Sequence, residues 1–258
     1  MKTLVLDFDG VIADSQMECL FVGFNAYLKM HKGTKLFGGK RIDFNNYSKI
    51  KKEHKTTIEA FKKLRLFGID NFCPYVFLSA IENKTKIKSQ SDHIKQRNKM
   101  MPKIYKKYLK LFLKERAKLQ KMDFNKWVRM DTPIEKIIYG IKKLQKNNIV
   151  AIATMNRKKS IIRLLKKYKI RPKVIADPTI SPEKKKQLEH LKNKLKVKFN
   201  DIHFVDDQVK HFPNLLKLGV HCYLATWGYN TKKQHEEAKQ LGAILLNQDN
   251  FYNILSKK

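Results

Sequence analysis

The stretch TLVLDFDGV, residues 3–11, decides how the chain is read: an apolar run ends in two carboxylates two residues apart, Asp7 and Asp9, followed at once by Gly10. Extended backbone places side chains i and i+2 on the same side, so both acids can address one point, and Gly10 lets the chain turn sharply behind them. In parallel sheets that point is where ligands collect, beyond the carboxyl ends of the strands. The same pattern equally describes a solvated strand end, so its meaning depends on what accompanies it.

Working outward, five more apolar runs have strand length and are separated by segments of helical periodicity: Ile149–Thr154, Val174–Ala176, Ile202–Val205, His221–Ala225 and Ala243–Leu246, alongside Thr3–Phe8. Ile134, Ile137, Ile138, Ile141 and Leu144 recur at helical spacing, as do Ile161, Ile162, Leu164, Leu165 and Tyr168. Asp131-Thr132-Pro133 offers a capping residue followed by proline, a helix-start signal. Strands alternating with helices predict an α/β fold with a parallel sheet covered on both faces.

Residues 16–130 differ in kind. They carry Lys-rich amphipathic segments and many aromatics without alternating strands, and they read as helical. MPKIYKKYLKLFLKERAKLQ, Met101–Gln120, is the clearest helix, expected to open near Pro102. Gly33–Gly39 and Gly68–Pro74 read as loops. The expected organisation is a core of residues 1–15 and 131–258, interrupted by a helical insert over 16–130.

Composition narrows the class. The chain has 258 residues, 42% hydrophobic and 31% charged, the profile of a folded protein. No segment approaches the roughly 20 apolar residues of a membrane span, and the acids near the start occupy the place of a signal peptide's apolar region, so a cytoplasmic protein with no membrane partner is expected. Cys19, Cys73 and Cys222 are far apart and unpaired in pattern, which predicts free thiols rather than a zinc site or disulfides. A net charge of +33 raises a nucleic-acid partner. However, Lys outnumbers Arg and the excess is spread over both regions (28 basic and 9 acidic residues in 16–130, 28 and 14 elsewhere), which favours a general attraction for anionic substrates.

Three further groups follow Asp7 and Asp9 in order. Thr154 ends IVAIATMN (149–156), a lysine cluster lies in SPEKKKQL (181–188), and Asp206-Asp207 close HFVDD (203–207). With DFDGVIADS (7–15), these four segments resemble the four motifs of the haloacid dehalogenase-like (HAD) superfamily. ATWGYN (225–230) and DGVIADS further resemble its phosphoglycolate-phosphatase-like subgroup. The resemblance implies a Rossmann-like core with an inserted helical cap that closes over the site and selects the substrate.

It also implies a chemistry: a magnesium-dependent phosphomonoester hydrolase acting on a small phosphorylated metabolite. Asp7 would be the nucleophile that forms an aspartyl-phosphate, and Asp9 the acid, then base. Thr154 and a lysine would hold the phosphoryl oxygens. Mg2+ would be bound by Asp7, the Asp9 carbonyl and Asp207, with Asp206 and Gly10 in support. Lys184, Lys185 and Lys186 all compete for the lysine's role; Lys184 is preferred because it precedes Leu188, the first apolar anchor of the next helix, by four residues. Strand alternation argues that Asp206 and Asp207 point different ways. His211 stands where many members carry another acid. Asp14 is expected to shape a turn, Trp227 and Tyr229 to pack, and Lys40, Arg41, Arg65, Arg116 and Arg129 to be solvated, or else to meet a second anionic group. A nucleic-acid end-processing phosphatase or nucleic-acid-binding protein is the alternative, and a phosphomutase shares the chemistry.

Overall fold

The computed structural model describes residues 2–257, which divide into two compact units, residues 2–14 with 132–257 and residues 15–131. The first unit holds β1 (Thr3–Leu6), β2 (Ala13–Asp14), β3 (Thr132–Pro133), β4 (Ile149–Ala153), β5 (Ile175–Ala176), β6 (Ile202–Asp206), β7 (His221–Ala225) and β8 (Ile244–Leu246). Six of these form one parallel sheet in the order β5-β4-β1-β6-β7-β8, and all six correspond to the apolar runs of the sequence.

β1 lies inside the sheet, with Leu4 beside Val150 on one flank and His203 on the other. Its four residues are all buried, which is why Leu4–Leu6 read as an unbroken apolar run rather than an alternation. From three helices, Leu188 and Leu191, Phe212 and Leu215, and Ala238 pack onto Val5, Ala151, Ala153, Phe204 and Leu224 of the sheet. Each such leucine or phenylalanine contributes about 1.5–3 kcal/mol by leaving water.

The second unit is helical: Gln16–Met30, Tyr47–Glu53, Lys55–Arg65, Cys73–Glu82, Gln90–Met122 and Phe124–Val128. It absorbs the aromatic residues. Phe21, Phe24, Tyr27, Phe61, Phe72, Phe77, Tyr108, Phe112 and Trp127 are almost completely buried. Gln16–Met30 approaches Cys73–Glu82 so closely that a Cβ on Gly23 would lie 2.5 Å from Pro74. Two ion clusters tie the unit together: Arg116 grips buried Glu18 through two bonds of 2.8 Å while Trp127 donates to the same carboxylate, and Lys29 and Arg41 meet Glu115. Arg116 and Arg41 are therefore structural partners of acids, not the solvated side chains expected.

Three local expectations are corrected. The long helix begins at Gln90, not near Pro102, because Ser89 caps it by accepting the Asp92 N–H, and Pro102 rides within it at an exposed position. The missed signal is Ser89-x-x-Asp92, a serine with an acid three residues on. Thr132–Pro133 does not start a helix; it pairs antiparallel with Ala13–Asp14, and the helix runs Glu135–Leu144. Cys73 and Pro74 belong to a helix rather than a loop, proline being tolerated in a first turn whose N–H groups have no partner. Cys19, Cys73 and Cys222 form no disulfide, and burial pushes Cys73 and Cys222 up to about 12. Among the described residues, no helix is long and apolar enough to cross a membrane.

Candidate active site

Asp7 follows β1 directly and continues its register, donating its N–H to Val205 O at 2.9 Å. The chain then folds into a tight loop. Phe8 O accepts from Ile12 and Ala13, and Gly10, at φ +78°, donates to Ala13 O. The glycine is required twice over, for its left-handed backbone and because a Cβ there would sit 2.4 Å from Asp207 Oδ2.

Neighbouring strands supply the remaining groups. β6 ends at Asp206, and Asp206 and Asp207 each place a carboxylate oxygen within 4.8 Å of the other and of Asp7. The expected divergence of the two adjacent acids fails because alternation governs only the strand itself, and Asp207 lies past its end. Its carboxylate is aimed by the Tyr229 N–H at 2.7 Å, and its backbone carbonyl accepts from Asn230. Asp206 Oδ1 accepts from the Gln208 N–H, while Oδ2 is buried with no hydrogen bond.

Lys184 opens the helix Lys184–Leu195 and is only 2% exposed. Its ammonium lies 2.9 Å from Asp7 Oδ1 and 3.6 Å from Asp206 Oδ2, and it donates to Ala153 O at 2.5 Å. Lys185 and Lys186 instead meet Glu189 and Glu183 at the surface. Thr154 is fully buried at the end of β4, its hydroxyl accepting from Asn156 N–H and its carbonyl from Gln187. Gln187 also holds Ser181 O, so it binds the Thr154 turn to the segment leading into Lys184. Asp9 is half-buried and bridges to Ala13.

The electrostatics follow from crowding. Burial, the largest influence, pushes Asp7 up to about 7; Lys184 pulls it down, and Asp206 and Asp9 push it further up. Burial alone would lower the Lys184 ammonium, but Asp7 and Asp206 outweigh it and hold its pKa above the ordinary lysine value. His211 is driven down to about 4 by burial despite the nearby Asp206 carboxylate. Four aspartates around one ammonium leave a local excess of negative charge in a chain of net charge +33.

That imbalance, the all-oxygen donor set and an Asp206 Oδ2 that makes no hydrogen bond suit a hard divalent cation. The sequence expected Asp7, the Asp9 backbone carbonyl and Asp207 to hold it, with Asp206 in support; the carboxylates that converge are Asp7, Asp206 and Asp207.

Two residues have larger structural parts than expected. Tyr229 donates its hydroxyl to Asp14, which lies in β2, and Trp227 donates to Val11 O, so the ATWGYN loop clamps the loop after β1. A Cβ on Gly228 would lie 2.3 Å from Asp207 Cβ. Neither link has a local sequence signature, since more than 200 residues separate the partners.

No family model matches the chain, and no curated protein does. Solved structures do. A predicted phosphoglycolate phosphatase from Haemophilus somnus aligns with a TM-score of 0.62 at 14% identity, covering 98% of this chain and 97% of its own. A haloacid dehalogenase-like hydrolase from Streptococcus pneumoniae gives 0.58 at 12%, covering 96% and 93%. A HAD family hydrolase from Deinococcus radiodurans with bound phosphate and sodium gives 0.56 at 13%, covering 99% and 95%. The fold of this chain is therefore that of the HAD-like hydrolases, an α/β core of Rossmann type with a helical insertion between β2 and β3.

Proposed function

We propose that this chain, built on the HAD-like hydrolase fold, is a magnesium-dependent phosphomonoester hydrolase that works through a phosphorylated Asp7 and acts on a small phosphorylated metabolite. The observation that carries the reading is the Asp7 carboxylate, buried at the end of β1 with the Lys184 ammonium 2.9 Å away and the Asp206 and Asp207 carboxylates beside it. The phosphate bound by the Deinococcus radiodurans relative fits this reading.

Asp7 Oδ1 already accepts from Phe8 N–H and Lys184, so Oδ2 is the oxygen that attacks phosphorus. As the new O–P bond forms, the ester P–O bond breaks and the departing oxygen takes a proton from Asp9. Asp9 then removes a proton from water, which attacks the phosphorus of the aspartyl-phosphate. Inorganic phosphate leaves and Asp7 is restored. Lys184 and the Thr154 hydroxyl take the phosphoryl oxygens, with Gln187 fixing their spacing. Mg2+ would be held by Asp7, Asp207 and the Asp9 carbonyl, with Asp206 beside them, and when bound it would offset charge on the transferring group. The nucleophile must be ionised; burial raises Asp7 to about 7 in the metal-free site, and a cation bound there would favour its carboxylate form.

The test is phosphate release from a panel of sugar phosphates, phosphoglycolate, nucleotides and other phosphomonoesters, with Mg2+ or EDTA, for wild type and Asp7→Asn. Release that needs Mg2+ and vanishes in Asp7→Asn is expected. Wild-type turnover by Asp7→Asn would overturn the assignment.

A further inference from the structure

Residues 136–176 form the longest acid-free stretch of the chain, 41 residues containing 13 Lys and Arg and no Asp or Glu. All three arginines of the α/β unit, Arg157, Arg163 and Arg171, fall within it. The structure turns this into a surface. A cavity of about 580 Å3 along the helix Lys158–Lys167 and β5, the strand at the edge of the sheet, adjoins one of about 570 Å3 lined by Gln145, Lys146, Asn148 and Val150, and the two share Lys169, Arg171, Pro172 and Lys173.

Their walls carry Lys146, Lys158, Lys166, Lys169, Arg171 and Lys173, all exposed, and no acid lines either cavity. Among the described residues, no carboxylate lies within ion-pair distance of these six groups. Arg41, Arg97 and Arg116 elsewhere are each paired with an acid. The floor is apolar: Ile162, Leu165, Ile170 and Val174.

We propose that this track is a docking surface for single-stranded nucleic acid. Unpaired cations along a concave path match a polyanion rather than one phosphate. Lys158 and Lys166 are eight residues apart on one helix, about 12 Å, which is the rise of three to four stacked nucleotides at roughly 3.4 Å each. Arg171, lining both cavities, offers a planar fork for phosphate oxygens or a base face. An apolar floor between cations suits the exposed base faces of a single strand, whereas a duplex presents mainly its backbone. A concave surface is poorly shaped for a lipid bilayer. The inference does not depend on the phosphatase reading, since it involves none of the residues around Asp7.

Binding is measured on the full chain by fluorescence anisotropy with an oligonucleotide of about 20 nucleotides bearing hydroxyls at both ends, so that no terminal phosphate engages Asp7. The triple variant Lys166→Gln, Arg171→Gln, Lys173→Gln is compared with Lys194→Gln, Lys232→Gln, Lys233→Gln, which changes net charge equally at exposed positions away from the track. The first should weaken binding at least about tenfold and reduce the slope of log affinity against log salt by about 2, at roughly 0.7 per lost contact on a single strand; the second should stay within about twofold. Photo-crosslinking of the wild type should mark peptides within residues 142–173. Equal losses in both variants, crosslinks elsewhere, no binding by the wild type, or equal retention on anionic vesicles or inorganic polyphosphate would each overturn the proposal.

Discussion

Replacing Lys184 by methionine tests the electrostatics of the site directly. The side chain keeps its length, but its ammonium no longer balances Asp7 at 2.9 Å or Asp206 at 3.6 Å, and Ala153 O loses its donor. Removing one partner of a buried ion pair destabilises by about 3–5 kcal/mol, because the acids left behind must either stay charged without a partner or take up a proton. The loss should depend on pH in a definite sense. Asp7 in the folded chain titrates near 7, above its unfolded value, so the stability linked to its extra proton is present at low pH and is lost as pH rises through 7.

Without Lys184 the folded Asp7 pKa rises further, and this decline continues through pH 8 while that of the wild type levels off. At about 1.4 kcal/mol per pH unit for one proton, the destabilisation at pH 8 should exceed that at pH 6 by roughly 1 kcal/mol. Lys184 is charged throughout this window, its pKa lying above the ordinary lysine value. The assay is urea unfolding in EDTA at both pH values, with Lys185→Met and Lys186→Met as exposed controls expected to stay within about 0.5 kcal/mol. A Lys184→Met loss below about 1 kcal/mol, or one equal at both pH values, would refute the reasoning.

Three other outcomes are expected. Gly10→Ala should cost about 1–2 kcal/mol of backbone strain and displace Asp207, abolishing stabilisation by Mg2+ in thermal melts, whereas Gly242→Ala, at φ +86° in open space, should show only the strain. Arg116→Met should destabilise the helical unit by about 3 kcal/mol by stranding buried Glu18, while Lys49→Ala, from an exposed pair with Glu53, should change stability by less than about 0.5 kcal/mol; urea midpoints compare them. His203, bonded to Tyr223 and pushed down to about 4 by burial, should titrate near 4 by NMR, with stability lost as pH falls from the unfolded histidine value through 4; a midpoint near 6.5 would contradict the buried environment.

The fold was legible because burial imposes a local pattern. β1 is covered on both faces, so Leu4–Leu6 had to be apolar without alternation, and helices such as Glu135–Leu144 bury one stripe and repeat accordingly. The six strands and the helical character of the insert could therefore be read without coordinates. Helix starts were read less well. Ser89 signals one only when recognised together with Asp92, and Thr132–Pro133 carries a start signal overridden by pairing with a strand more than 100 residues away.

By itself the sequence determined that an acid pair follows an apolar strand, and that a threonine, a lysine and a second acid pair follow in order on later segments, since each is a matter of residue type and local periodicity. Only the tertiary structure decided which side chains share a point. Spacing from Leu188 singles out Lys184 among three adjacent lysines, but that its ammonium meets Asp7 and Ala153 O is set by how the helix packs on the sheet. The end of β6 lets both Asp206 and Asp207 reach the cluster, and Tyr229 and Gln187 hold it through contacts invisible in a local window. The physical reason is common to these cases. Periodicity specifies which face of an element is buried, but the partner across that face is chosen by packing between segments far apart in the chain.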